Sequence, residues 1–465
     1  MKRLILFLVI GMIGFIGHSQ IEIKNKVVDF QSFLPLENCS VYVKNTTIGT
    51  VTNEDGKFVL LIPERHQTDT LIVSNIGYKS YKIPVNEFDD SMEIILEEDI
   101  ASLNEVLLVA DTRPETANEI IERALERLPR NLPESPYLQK GFIRHKERNK
   151  REFKWLIESA ITLYDSSFPS AANENIKINV DQVRKSYDLR DVDSLLVYTS
   201  YLKNHVRNFK MKSRNLKRDT IRTSSLVKAI RWNDGRVNGL ENLFKGKLNL
   251  VRNSHDPKAL FGENMLESHQ FELDTILVDN ERKIYKIKIE EGNDFVDLHT
   301  KGIFNNGFQA QGWIYVYWDN YAIKKIEYEL VAASDAQKSR SKTLFDTYVN
   351  HKLELSYMEY DERMYLNYIY YETPKLVNVG DKSNQDNANN DERYYYTVQE
   401  VLFTEIVVDP EEVQEQIVGK SWDADMFSPK PYDKSFWKSY NTLLESEEEE
   451  KLIEDLTQKY SLYKE

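Results

Sequence analysis

His269-Gln270-Phe271-Glu272 sets an imidazole three residues from a carboxylate, a pairing that can bind zinc when a distant second histidine completes the set. His299 and His351 are the candidates for that further ligand, and nothing around either one selects it. The surrounding run SHQFELDTILV alternates as a strand does, and alternation sends His269 and Glu272 to opposite faces. A chain with 8 His and 75 Asp and Glu also produces one such spacing by chance. Ordinary polar residues are the better reading, and a zinc-dependent, carboxypeptidase-like hydrolase using His269 and Glu272 is the alternative.

Other reactive pairings are weaker. Glu290-Glu291 and Asp294-Asp297 offer the two carboxylates that glycoside chemistry needs, but an acid-rich chain supplies such pairs freely as solvated turns. The sequence has no HExxH, no phosphate-cradling glycine loop and no G-x-S-x-G elbow. Cys39, the single cysteine, sits in ENCSVYV at a strand start, where a buried inert thiol is expected. Trp313, Tyr315 and Tyr317 share one strand face and can stack on sugars or pack on a protein partner. No catalytic residue, metal or cofactor is expected, and a binding role is favoured over an enzyme.

The elements that must position these residues begin with short alternating segments between Ile21 and Ala110, which predict seven strands. Val41 and Val43 share a face, as do Phe58, Leu60 and Ile62, Leu71 and Val73, and Met92, Ile94 and Leu96. Asp55-Gly56 and Gly77 supply turn conformations, and Pro63 and Pro84 mark strand ends. The order GTVTNEDGKFVLLIP, LIVSNIGYKSYKI, MEIILEED and LNEVLLV resembles the carboxypeptidase-regulatory-like domain. That resemblance implies a transthyretin-like β-sandwich, found widely in the cell envelope of Bacteroidetes-type bacteria, that serves as an accessory module and not as a peptidase.

From Pro114 onward Ala117, Ile120, Ile121, Ala124, Leu125 and Leu128 fall on one helical face, with Pro129, Pro133 and Pro136 expected to stop the helix. The later alternations Tyr285/Ile287/Ile289 and Ile326/Tyr328/Leu330 oppose charged neighbours, as in an antiparallel sheet with one wet face. Further strands are expected at Trp313–Trp318, Leu353–Met358, Met364–Tyr371 and Tyr394–Val408, with Gly312 and Asp319-Asn320 as bracketing turns. Residues 165–264 carry a mixed pattern with a helix at Leu195–Asn208, and Asn378–Glu392 reads as a polar loop. Irregular segments, and Lys324 on an otherwise apolar face, disfavour an outer-membrane barrel.

The predicted architecture is therefore mainly β. Residues 1–20 are a signal peptide, 21–99 the sandwich, 100–136 a helical connector, 137–425 a larger antiparallel-sheet α+β domain and 426–465 an acidic helical tail. RPETANEIIERALERLPRNLPESPYLQKGFIRHKERNKREFKWLIESAITLYD, GWIYVYWDNYAIKKIEYEL and YDKSFWKSYN are similar to an uncharacterised envelope family that carries the same N-terminal domain. That similarity brings no known catalytic residues.

Lys2 and Arg3 before the apolar run Leu4–Ile16 predict export, and no later run is apolar enough for a membrane-spanning helix. A formal charge of −14 argues against nucleic acid as a partner. The run NHVRNFKMKSRNLKRDTIRTSSLVKAIR is basic within this acidic chain, either as a solvated face or as a dock for anionic envelope components. Asp-Ser/Thr-apolar tripeptides at Thr70, Ser91, Ser194, Thr220 and Thr275 resemble an O-glycosylation sequon of exported proteins. These signals together point to an exported envelope protein, periplasmic or outer-membrane associated, that binds an envelope protein or a glycan.

Overall fold

The computed structural model describes residues 20–99, 116–148, 153–187, 195–212, 215–246, 248–255, 261, 266, 269–290, 307–345, 348, 350–376, 394–428 and 430–459. Residues 1–19 of the expected signal peptide, the polar loop Asn378–Glu392, His299, Ser194 and the Glu291–Asp297 acids lie outside the described residues, and Gln20 opens the first strand.

Seven strands build the N-terminal part: β1 (Gln20–Asp29), β2 (Ser40–Val43), β3 (Gly49–Val51), β4 (Lys57–Pro63), β5 (Thr70–Ser74), β6 (Tyr81–Pro84) and β7 (Ile94–Leu96). They form two facing sheets, ordered β4-β1-β7 and β3-β2-β5-β6. The alternation in β4 buries Phe58, Leu60 and Ile62 against Val41, Val43, Leu71 and Val73 from the opposite sheet. Gly56 is required at its turn: its φ is +72°, and a Cβ there would sit 2.4 Å from the Val27 carbonyl oxygen. Met92 departs from the expected face. It lies outside β7 and is exposed, while Ile94 and Leu96 are buried.

Helix α1 (Ala117–Asn131) follows. Thr116 caps it reciprocally: its Oγ1 accepts from Glu119 N at 3.2 Å, and Glu119 Oε2 accepts from Thr116 N at 3.0 Å. The helix runs two residues beyond Pro129 instead of stopping there. Pro129 has no N–H to give the Leu125 carbonyl, so it leaves one bond out of the ladder, and the helix ends two residues later. Ile120, Ile121, Ala124 and Leu128 all point into the main core.

The main sheet has ten strands: β8 (Tyr137–Arg148), β9 (Phe153–Asp165), β10 (Lys177–Tyr187), β11 (Gln270–Asp279), β12 (Arg282–Glu290), β13 (Phe308–Tyr317), β14 (Ile323–Ala332), β15 (Asn350–Tyr360), β16 (Arg363–Leu376) and β17 (Tyr394–Val407). The order is β10-β9-β8-β17-β16-β15-β14-β13-β12-β11, antiparallel throughout. The chain enters at β8, walks outward to β10, crosses to β11 at the opposite edge and then returns strand by strand to β8. Helix α2 (Ala172–Asn175) joins β9 to β10, helices α3 (Leu195–His205), α4 (Thr223–Asn238) and α5 (Leu240–Lys245) occupy the crossover, and α6 (Asp335–Phe345) joins β14 to β15. After β17 come α7 (Pro410–Ile417), α8 (Lys434–Lys438) and α9 (Glu447–Lys459).

One face of this sheet is apolar. Ile287, Ile314, Ile326, Leu355, Ile369, Val401 and Ile143 lie along it and pack with α1 and with Leu243 and Phe244 of α5. The other face carries charges and tyrosines, and it is covered by the sandwich and by the segment after β17. That cover explains β8, whose inner residues Arg144 and Lys146 are buried despite their charge. Gly312 is not a bracketing turn but lies inside β13. Its φ is +135°, and a Cβ would fall 2.0 Å from the Glu327 carbonyl oxygen of β14. Lys324 is the extra residue of a β-bulge opposite Tyr315 and Val316, which re-aims it to within 3.8 Å of Asp279.

Candidate functional site

The row Trp313, Tyr315, Tyr317 of β13 lies on the charged face of the sheet, beneath the sandwich. The strand register pairs Trp313 with Lys288 and Glu327, and Tyr315 with Lys286 and Lys325. Glu327 and Glu354 lie directly opposite one another on β14 and β15, and Lys325 bridges them, at 2.8 Å from Glu327 and 2.9 Å from Glu354. Burial alone would lower the Lys325 pKa, but Glu354 and Glu327 outweigh it and hold the ammonium charged.

Trp313 opens into a cleft of about 590 Å³ between the sheet and the sandwich loops that carry Glu37, Asn38 and Glu54. Gln311, Lys352 and Tyr370 complete the sheet side. Lys286 Nζ stands 4.0 Å from the centre of the Trp313 ring, a cation–π contact that fixes the indole. Five carboxylates (Glu37, Glu54, Glu327, Glu329 and Glu354) face the cleft against two ammonium groups, those of Lys288 and Lys352. Burial raises the pKa of Glu37, and Glu54, Glu354 and Glu400 add to it; burial and Glu449 do the same for Glu54. Such a lining repels anions. It suits a neutral, hydroxyl-rich or cationic ligand that donates hydrogen bonds to carboxylates and lays an apolar face on the indole.

Tyr315 and Tyr317 are placed differently. Tyr315 is buried with its hydroxyl 3.4 Å from Glu327 Oε2. Tyr317 donates to Asp279 Oδ2 at 2.5 Å beneath the Arg282 guanidinium, 3.8 Å from the ring centre. It borders a second cleft of about 720 Å³ with Tyr42, Lys44 and Lys324, but its hydroxyl is already satisfied. The three aromatic candidates thus separate into one cleft residue and two packed ones.

The contacts that seat the sandwich are mostly polar. Tyr42 Oη accepts from Asn280 Nδ2 at 2.8 Å, Ser80 Oγ donates to Asn280 Oδ1 at 2.6 Å, and Lys82 meets Glu281 at 2.6 Å. On the other side Asn53 donates to the Glu445 carbonyl, and Asn441 bonds both the amide and the carbonyl of Leu61. Val51 is the sandwich's buried apolar contribution to the cluster around Phe142, Leu402, Trp437 and Leu443.

Beside that cluster lies a buried ion network that sequence reasoning missed. Arg144 donates through Nε and Nη2 to Glu158 Oε1 at 2.9 and 2.7 Å, and also to the Leu443 carbonyl and Glu445. Arg184 takes the second Glu158 oxygen at 2.6 Å, and Lys146 reaches Glu400 and Glu449. Burial would raise the Glu158 pKa, but Arg144 and Arg184 overcome it and keep the carboxyl ionised. The tail residues Glu445 and Glu449 are clamped into the sheet by these pairs. No periodicity signals such a network, because its partners come from distant parts of the chain.

The structure does not bring His269 and Glu272 together. His269 is buried on the apolar side, its Nε2 2.9 Å from the Tyr328 hydroxyl and its ring edge-on to Phe261. Glu272 is exposed on the other side of β11, 3.8 Å from Lys288. His351 is buried against Phe308 and bonds Thr373 through Nδ1 at 2.9 Å, and burial pushes its pKa down to about 4. Glu290 is paired with Lys288 at 2.9 Å. Cys39 is fully buried, its thiol pushed up to about 12 by burial, with Sγ donating to the Leu36 carbonyl. Ser91 and Thr220 are exposed, whereas Thr70 and Thr275 are half-buried in strands. Among the described residues no cluster of His, Cys, Asp and Glu is arranged to hold a metal ion, and no helix is long and apolar enough to cross a membrane.

Residues 23–108 match the family model of the CarboxypepD_reg-like domain. A stretch of 111 residues, 23% of this chain, is 35% identical to the TonB-dependent receptor SusC of Bacteroides thetaiotaomicron. The alignment covers 10% of that receptor, so the chain spans about a tenth of the length of the curated relative it matches. Among solved structures, a LolA superfamily protein of Nitrosomonas europaea aligns with 64% of this chain and 97% of its own at 10% identity and a TM-score of 0.22. A Vibrio parahaemolyticus domain described as an outer membrane lipoprotein-sorting protein aligns with 65% of this chain and 100% of its own, at the same identity and TM-score. At that level neither structural likeness bears on fold or function.

Proposed function

We propose that this is an exported cell-envelope binding protein, periplasmic or outer-membrane associated, in which the sandwich of residues 21–99 is a non-catalytic accessory module. The single observation that supports the binding reading is the Trp313 cleft, whose wall is shared between sandwich and sheet. Glu37 and Glu54 come from one and Trp313, Glu327 and Glu354 from the other. A ligand there contacts both, so binding and the seating of the sandwich are linked. The aromatic platform within a ring of carboxylate acceptors favours a neutral glycan. Its hydroxyls donate to the acids while a pyranose C–H face stacks on the indole.

The segmental likeness to SusC supports the envelope as the place of action and an outer-membrane protein as the partner of the sandwich. Calorimetric titration of the full chain with a panel of neutral envelope oligosaccharides tests the glycan reading. Trp313→Ala is expected to weaken the best ligand by about tenfold, the equivalent of one stacking contact. An unchanged affinity in that variant removes the cleft as the site. Zinc analysis of the purified protein beside His269→Ala tests the hydrolase alternative, which needs stoichiometric metal that disappears in the variant.

A further inference from the structure

We infer that the turn joining α3 to α4 is a docking element for an anionic lipid surface. From Leu195 to Arg218 the chain holds seven Lys and Arg and no Asp or Glu, within a protein of net charge −14. Lys203, Arg207, Lys210 and Lys212 are all exposed at this turn. Val206 and Met211 stand between them, each 45% exposed, so two large apolar side chains share this surface with the cations.

The turn has a defined shape. Val206 N closes the helix by donating to the Leu202 carbonyl, Asn208 takes a left-handed φ of 62°, and Phe209 N donates to the Val206 carbonyl. Behind it the Tyr201 ring stacks on His205 at 4.1 Å, and both meet the edge of Trp232 from α4 at 5.7 and 5.4 Å. The aromatic wedge holds the helical hairpin together, so the cations and the two apolar tips are presented as one surface.

Charge and apolar tips together select the partner. An acidic protein surface satisfies the lysines but gives Val206 and Met211 nothing to enter. A bilayer carrying anionic head groups takes both, with the ammonium groups at the phosphates and the two side chains among the first methylenes. The acidic remainder of the molecule is repelled by the same surface. The protein is therefore oriented with the α3–α4 turn toward the lipid and the bulk of its acidic surface away. The attraction falls off within a Debye length, so it weakens with salt. This inference stands apart from the identity of the ligand in the Trp313 cleft.

Vesicle flotation of the full chain tests it, with phosphatidylglycerol–phosphatidylcholine vesicles against phosphatidylcholine alone. Binding is expected to the anionic vesicles only and to fall as salt is raised. Lys210→Glu with Lys212→Glu is expected to weaken it about tenfold or more, and Val206→Ser with Met211→Ser to remove the part that survives salt. Circular dichroism confirms that the variants are folded, and Lys338→Glu with Lys434→Glu serves as a charge-matched control away from the turn. No flotation with either vesicle overturns the proposal, as does equal flotation of wild type and the Lys210/Lys212 variant. Retention on a soluble polyanion without flotation assigns the turn to a polyanionic partner and equally overturns it.

Discussion

In the sandwich, Ile23, Val41, Phe58, Leu60 and Leu71 fill a core of aliphatic and aromatic side chains with one thiol, and ion pairs such as Lys26–Glu93 stay at the surface. The ten-stranded sheet has an equally apolar face but buries Arg144, Lys146 and Glu158 on the other. The sandwich thus has a core built from its own residues, whereas the charged face of the sheet depends on cover supplied by distant chain. Remove the cover and its inner charges meet water or one another. The seat between the two regions is mostly hydrogen bonds and surface ion pairs, with Val51 and Ile76 as apolar contacts. An interface of that kind resembles transient association more than a core. The sandwich has its own core and a mostly polar seat, as the accessory role proposed above requires.

The comparison breaks first at Arg144. Arg144→Met leaves Glu158 and Glu445 buried beside a single guanidinium, and the expected loss is about 3–5 kcal/mol in urea unfolding of the large domain. A loss under about 1 kcal/mol would mean that the network is as dispensable as surface pairs are. Leu60→Ala, in contrast, should cost about 2–4 kcal/mol in the unfolding of the sandwich while leaving the tryptophan fluorescence of the sheet region unchanged at low denaturant. Loss of both signals together would show that the two regions unfold as one.

Acid sharpens the difference further. His351 is buried neutral, with a folded pKa near 4 against an ordinary value of 6.5. Its contribution is fully present above about pH 6.5 and is lost as pH falls toward 4, because the unfolded chain takes up the proton first. Roughly 1–3 kcal/mol should disappear over that window from the sheet's transition, and His351→Asn should flatten the slope. The smallest effect belongs to the seat: Lys82→Ala removes the exposed pair with Glu281 and should leave both midpoints within error.

Legibility followed the same division. The strand faces of β2 and β4 were readable because one side of each is dry and the other wetter, so hydrophobicity alternates every second residue. The strands β12, β14 and β15 were readable for the same reason, within a few residues of their ends. β8 and β9 were not, because cover on both faces erases the alternation: β8 buries Phe142 and Ile143, yet also Arg144, His145 and Lys146. At the candidate site, the aromatic row was visible but its division was not. Only the seating of the sandwich decides that Trp313 borders an open cleft while Tyr315 is roofed.

What the sequence determined by itself was local: the turn at Asp55-Gly56, the amphipathic face of α1, the separation of His269 from Glu272 along an alternating strand, and the basic run in an acidic chain. Each follows from backbone geometry or composition within a few residues. What the tertiary structure decided was long-range. Glu449 neutralises Lys146 from 303 positions away, and Glu37 and Glu54 meet Trp313 across two sheets. A charge's fate depends on its partner and its solvent, and neither is set by the residues beside it in the chain.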